Sequence, residues 1–177
     1  MATDTALLIV DVQVGLFERS VIEARDLLER IRDLIADARA ARIPVIYVQH
    51  CGSSHGHTLH PDRPGWQIHP AIAPQPGDVI IEKRFLDAFK QTELRRELDA
   101  RGIRRLIVTG LQTEMGVDAT CRSAQRLGYE VMLVTDQRLA FDAETVSARG
   151  LVEREMALIR EGYGKVTYPA HTTFSLS

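Results

Sequence analysis

Residues 106–122 read Leu-Ile-Val-Thr-Gly-Leu-Gln-Thr-Glu-Met-Gly-Val-Asp-Ala-Thr-Cys-Arg, and this stretch decides the fold. Leu106, Ile107 and Val108 are strand formers, with the charged pair Arg104-Arg105 ahead of them. Thr109-Gly110 marks a turn, and a helical pattern opens at Thr113. Strand, tight turn and helix N-terminus follow one another directly. That order presents backbone N–H groups and the positive end of a helix dipole to whatever occupies position 116. A cysteine there would be activated as a thiolate. This chain has Gly116.

The same alternation extends to both sides. Ala6–Val12 reads as a buried strand, and Val21–Ala41 as a helix with Leu27, Leu28, Ile31, Leu34, Ile35 and Ala38 on one face. Val45–Val48 and Val79–Ile81 are further strands. Thr92–Arg101 is a helix stopped by Gly102, and Thr113–Leu127 one stopped by Gly128. Val131–Val134 is a fifth strand, Ala143–Arg160 a last helix with Val152, Met156 and Ile159 on one face, and Lys165–Tyr168 an edge strand. Apolar strands alternating with helices predict a three-layer α/β/α fold around a mostly parallel, Rossmann-like sheet. The long irregular stretch His50–Gly77 is rich in Gly, Pro, Ser and His, and such a loop in a compact domain is usually functional or disordered.

A chain of 177 residues without repeats or linkers is expected to form one domain over 1–177. The net charge of −2 gives no electrostatic case for nucleic acid or an anionic membrane. The start, Met1-Ala-Thr-Asp-Thr, lacks the basic region of a signal peptide, and Ala6–Val10 is too short to span a bilayer. Cys51 and Cys121 do not make a disulfide framework. A cytoplasmic location and a small-molecule substrate are expected.

In open parallel sheets, ligands bind beyond the carboxyl ends of the strands. Asp11, His50-Cys51, Lys83 and Gln112–Gly116 all stand at such ends. Each has two readings. Asp11 closes an apolar run, so it is either a partly desolvated proton-transfer group or a loop cap. Lys83 stands between Glu82 and Arg84, a pattern that alone reads as surface. Phe17, Trp66, Phe85 and Phe89 either line an apolar substrate pocket or anchor core and loops. Gln13 either orients Asp11 or contacts substrate, and Glu114 fits a dipole role at the helix start. Cys121 shares a helix face with Val117 and Ala124 and reads as core. Cys51 is better placed, yet a loop cysteine is more often incidental. A loop rich in His, Ser and Gly also arises without metal.

Four segments together resemble the isochorismatase-like hydrolases, also called the cysteine hydrolase superfamily. They are Leu7-Leu-Ile-Val-Asp-Val-Gln13, Pro64-Gly-Trp-Gln-Ile-His69, Glu82-Lys-Arg-Phe-Leu-Asp-Ala-Phe89 and Gly110 to Arg122. Each is weak alone; their order and spacing are specific. The resemblance implies an Asp, a Lys and a Cys meeting in one crevice, here Asp11, Lys83 and the nucleophile position Gly116. Lys83 would pair with Asp11 and offer positive charge to a developing oxyanion. The backbone N–H groups of Gln112 and Gly116 would form the oxyanion hole, with a cis peptide at Leu111–Gln112.

In amide-hydrolysing relatives the cysteine forms a thioester with the acyl group. Isochorismatases proper cleave a vinyl ether without it, the aspartate protonating the substrate. Thr113-Glu114 and Val117-Asp-Ala-Thr-Cys-Arg122 look more like the amide-hydrolysing branch. The expected function is therefore a scaffold for hydrolysis of C–N bonds in small amides, weak or inactive on amides because the thiol at position 116 is missing. The alternatives are a cysteine-independent vinyl ether hydrolase and a non-catalytic binding protein that kept the pocket. Relatives of the nicotinamidase type bind a metal through an Asp-x-His pattern, which is absent before His50, so no metal and no cofactor are expected. Relatives commonly form dimers or tetramers, and a homo-oligomer is expected here.

Overall fold

The computed structural model describes residues 3–17, 21–111, 113–134 and 165–167. Six parallel strands form one sheet: β1 (Thr5–Val10), β2 (Val45–His50), β3 (Val79–Lys83), β4 (Arg105–Gly110), β5 (Glu130–Val134) and β6 (Lys165–Thr167). Their order is β3-β2-β1-β4-β5-β6, and every neighbouring pair is parallel. The chain first builds outward from β1 through β2 to β3, then returns to β4 on the other side of β1. The sheet order therefore reverses between β1 and β4, and a crevice opens beyond the carboxyl ends of the strands there.

Two apolar layers hold the sheet, one on each face, because β1, β2 and β4 alternate between them. Leu7, Ile9, Val45, Tyr47 and Ile107 pack against α1 (Val21–Ala40), which contributes Leu27, Ile31, Leu34 and Ile35. Leu8, Val10, Ile46, Val48, Leu106 and Val108 pack on the other face. There they meet α2 (Leu94–Ala100) through Leu94 and Leu98, and α3 (Asp118–Arg126) through Cys121 and Ala124. Val117, just ahead of α3, joins this second layer. The predicted three-layer parallel α/β architecture is what the chain adopts.

Details differ at the carboxyl ends. The sequence suggests a first strand to Val12, but β1 stops at Val10 because Asp11 takes a left-handed conformation, φ 57°. β2, β3 and β4 each run two residues further than their apolar cores, to His50, Lys83 and Gly110. The ladders explain this: His50 pairs with Lys83 and Val10 with Gly110. The predicted helix from Thr113 opens with one π-helical turn, Thr113–Val117, before α3. The segment 51–78 contains two short 3-10 turns, Pro64–Trp66 and Pro70–Ile72. The predicted helix Ala143–Arg160 lies outside the described residues. Among the described residues, no helix is long and apolar enough to cross a membrane.

Gly110 is fixed by close approach. Leu111 N donates to Val10 O at 3.0 Å, which draws the end of β4 against β1. A Cβ at position 110 would stand 2.0 Å from that same carbonyl oxygen. Backbone on both sides leaves nothing to yield. Gly110→Ala is expected to cost about 3 kcal/mol or more, the upper range for overpacking, read as the loss of unfolding free energy in urea. A cost under about 1 kcal/mol would contradict this packing.

Candidate active site

The crevice between β1 and β4 collects its groups from strand ends. Strict alternation after Leu7 and Ile9 would turn Asp11 toward α1. The left-handed backbone at Asp11 breaks the alternation and directs its carboxylate to the face shared by β3 and the helix tip. Asp11 is held in this conformation by Asp11 N donating to Val48 O (2.9 Å) and by Gln13 N donating to Asp11 O (3.0 Å). Such a backbone at a non-glycine residue is a feature concentrated at functional sites.

Lys83 closes β3 with its side chain fully buried. Its Nζ lies 2.7 Å from Asp11 Oδ2 and donates to the carbonyl oxygen of Leu86 at 3.2 Å. The reading of Lys83 as a solvated surface residue is thereby excluded. Gly116 stands in the π-helical turn directly against this pair. A Cβ on Gly116 would lie 2.7 Å from Asp11 Oδ2, 3.1 Å from Lys83 Nζ and 3.6 Å from Leu86 O. The three sites that sequence reasoning placed together do meet, and the ion pair reaches into the room a side chain at position 116 would need.

Burial pushes the Asp11 carboxyl above its ordinary value, and the Lys83 ammonium only partly offsets this. The second carboxylate oxygen, Oδ1, is buried without a hydrogen-bond partner among the described residues. Asp11 thus has one oxygen committed to Lys83 and one without a partner among the described residues.

The other candidates divide. Gln13 is fully buried, and its amide is spent on backbone: Nε2 donates to His50 O (3.0 Å) and Trp66 O (2.7 Å), and Oε1 accepts from His50 N (2.9 Å). It is a strut tying β2 and the Pro64–Trp66 turn to the residues that follow β1. Gln49 adds a second bond to Trp66 O at 2.8 Å. Trp66 Nε1 is buried and faces the Cys51 thiol. Phe17 packs on the His69 ring, and Phe85 lies under the Lys90 ammonium at 4.1 Å. Phe89 stacks on Tyr129, at the amino end of β5. It packs against the core beside the amino end of β5.

Neither cysteine offers an activated thiol. Burial pushes the Cys121 thiol up to about 12. Cys51 is buried, which also raises it, and its Sγ lies 3.7 Å from the Glu82 carboxylate. Gln112, its expected oxyanion N–H and the expected cis peptide at Leu111–Gln112 lie outside the described residues, as does the Glu114 side chain.

Two groups have roles that sequence reasoning did not assign. The Leu86 carbonyl anchors Lys83. His50 neighbours Lys83 in register; burial, then the Lys83 charge, then His57 bring its imidazole down to about 4, so it stays neutral at physiological pH. Only the register signals the second role, since His50 and Lys83 are far apart in sequence.

Removing the ammonium tests the pair. In Lys83→Met the buried carboxyl loses the only force opposing burial, so it rises further. The folded state then keeps a proton that the unfolded chain releases above about pH 4. Stability relative to the parent is therefore best at acid pH and is lost as pH rises through the raised value. At pH 7.5 the expected cost is about 3–5 kcal/mol, and Asp11→Asn in the same chain should recover most of it. Urea unfolding at pH 5 and pH 7.5 reads this. A cost that is small and independent of pH would contradict a buried pair.

The isochorismatase domain model matches residues 5–158. A streptothricin hydrolase of Streptomyces noursei is 39% identical over 139 residues, covering 77% of this chain and 50% of that protein. The chain thus spans about half the length of that relative. A ureidoacrylate amidohydrolase of Stutzerimonas stutzeri is 28% identical over 173 residues, covering 76% of this chain and 69% of that one. The crystal structure of a cysteine hydrolase from Pseudomonas syringae pv. phaseolicola superposes with a TM-score of 0.85 at 28% identity, over 94% of this chain and 89% of that one.

Proposed function

Because the chain belongs to the isochorismatase family, we propose that it is a hydrolase-fold scaffold for C–N bonds of small amides whose thiol has been replaced by Gly116. The observation that carries this reading is the Asp11–Lys83 contact closed against Gly116 at the tip of the helix that follows β4. In this reading Asp11 is the proton acceptor, Lys83 its electrostatic partner, and the backbone N–H groups of Gln112 and Gly116 the oxyanion donors. The amidohydrolase among the relatives supports the bond class. As the chain stands, nothing at position 116 forms the covalent acyl intermediate, so turnover of amides is very slow.

With a cysteine at 116 the steps balance simply. Asp11 takes the thiol proton and the sulfur attacks the amide carbon. The amine leaves with a proton, and water then opens the thioester. Gly116→Cys is expected to gain amidase activity, measured as ammonia or amine release from a panel of small amides. The new Cβ requires the Asp11 carboxylate to draw back by a few tenths of an ångström. Asp11→Ala in that background should lose about 10²–10⁴-fold. No gain across the panel would contradict the reading.

One observation favours a second reading. A carboxyl raised by burial, with one oxygen unpartnered among the described residues and no neighbouring thiol, suits a proton donor as well as an acceptor. That is the requirement for vinyl ether hydrolysis by protonation. In that case the chain itself turns over isochorismate and Asp11→Ala abolishes it; inactivity on isochorismate removes this option. A binding protein without catalysis is disfavoured, because it has no use for a buried proton-transfer group.

A further inference from the structure

The irregular segment between β2 and β3 carries a second cluster of ligating groups, made of other residues than the Asp11–Lys83 pair. His55 Nδ1 and His60 Nδ1 each lie 3.5 Å from Asp62 Oδ2. One ligating atom from each of the three residues falls within 4.8 Å of the others. The two imidazole rings face each other with centroids 4.3 Å apart.

The chain holds these groups in place. Arg63 N donates to His60 O at 2.8 Å, closing a turn over His60-Pro61-Asp62-Arg63 with the proline at the position that suits its fixed φ. Asp62 N donates to His60 Nδ1 at 3.3 Å, which fixes this nitrogen as the unprotonated one; a metal would take its lone pair by displacing this long contact. Arg63 Nε donates to His55 O at 2.6 Å and ties the far side of the cluster to the same turn. Buried Leu59, whose carbonyl accepts from Gly52 N, roots the turn in the protein.

We propose that His55, His60 and Asp62 bind a divalent transition-metal ion, Zn(II) foremost, with water in the remaining position. Tetrahedral zinc with bonds of about 2.0–2.1 Å sets its donor atoms about 3.4 Å apart. Both histidine-to-aspartate separations already meet this. The histidine-to-histidine edge closes by a small rotation of the His55 ring, whose side chain is 87% exposed. Two imidazoles and one carboxylate favour zinc, nickel or cobalt over magnesium or calcium. The carboxylate offsets one of the two ionic charges. The bound ion staples a segment that also presents the Trp66 carbonyl to Gln13 and Gln49, and so stiffens one wall of the crevice.

The test uses the full chain stripped with chelator and titrated with zinc chloride at pH 7.5 in a calorimeter. One equivalent is expected to bind, with release of the ion on adding excess chelator. His55→Ala and Asp62→Asn alter exposed side chains, so both variants should fold, with melting in EDTA like that of the parent. Each should bind zinc at least about tenfold more weakly. Zinc should raise the melting midpoint of the parent and leave that of both variants unchanged. Cobalt in place of zinc gives a tetrahedral absorption band that the variants should lack. Absence of binding by the parent, or binding untouched by both substitutions, overturns the proposal.

Discussion

The structure turns on one buried ion pair. Asp11 and Lys83 are brought into contact from two strands that are not neighbours, and both side chains are almost wholly shielded from water. Taking two charges out of water costs several kcal/mol per ion, and attraction within the pair repays this only when each finds its partner. A fold seeking stability alone would place apolar side chains here. The positive φ at Asp11 compounds the cost and is what aims the carboxylate. Features that add cost at the carboxyl edge of a parallel sheet are best explained by what they do to a ligand there.

Two glycines make the pair possible for different reasons. Gly110 lets β4 end against the Val10 carbonyl, so the following turn begins beside Asp11. Gly116 leaves room for the Asp11–Lys83 contact itself. A side chain at 116 would press on both members of the pair. Gln13 and Gln49 add a third constraint by pinning the Trp66 carbonyl over the end of the sheet.

Much of this was legible in the sequence because periodicity reports burial. The runs Leu7–Val10, Val45–Val48 and Leu106–Val108 are apolar because both sheet faces are covered, and so they identify themselves. Asp11, Lys83 and Gly116 were placed together by strand-end logic and resemblance. What escaped was set by contacts distant in sequence. β2 and β3 extend to His50 and Lys83 because those residues pair with each other. Gln13 looks polar and available, yet its amide is consumed by backbone groups of residues 50 and 66. Phe89 sits near Lys83 in sequence, and its ring stacks on Tyr129 beside the amino end of β5. The convergence of His55, His60 and Asp62 depends on a turn whose shape composition does not reveal.

The proposed chemistry rests on a carboxyl that is out of water, coupled to one ammonium and raised above its ordinary value. Its titration can be followed directly by carbon-detected NMR of the aspartate side-chain carboxyls, with Asp11→Asn identifying the resonance. A midpoint for Asp11 clearly above the ordinary value of about 3.9 is the expected result. A midpoint at or below that value, with the shape of a freely hydrated carboxylate, would mean that residue 11 does not occupy the buried site described.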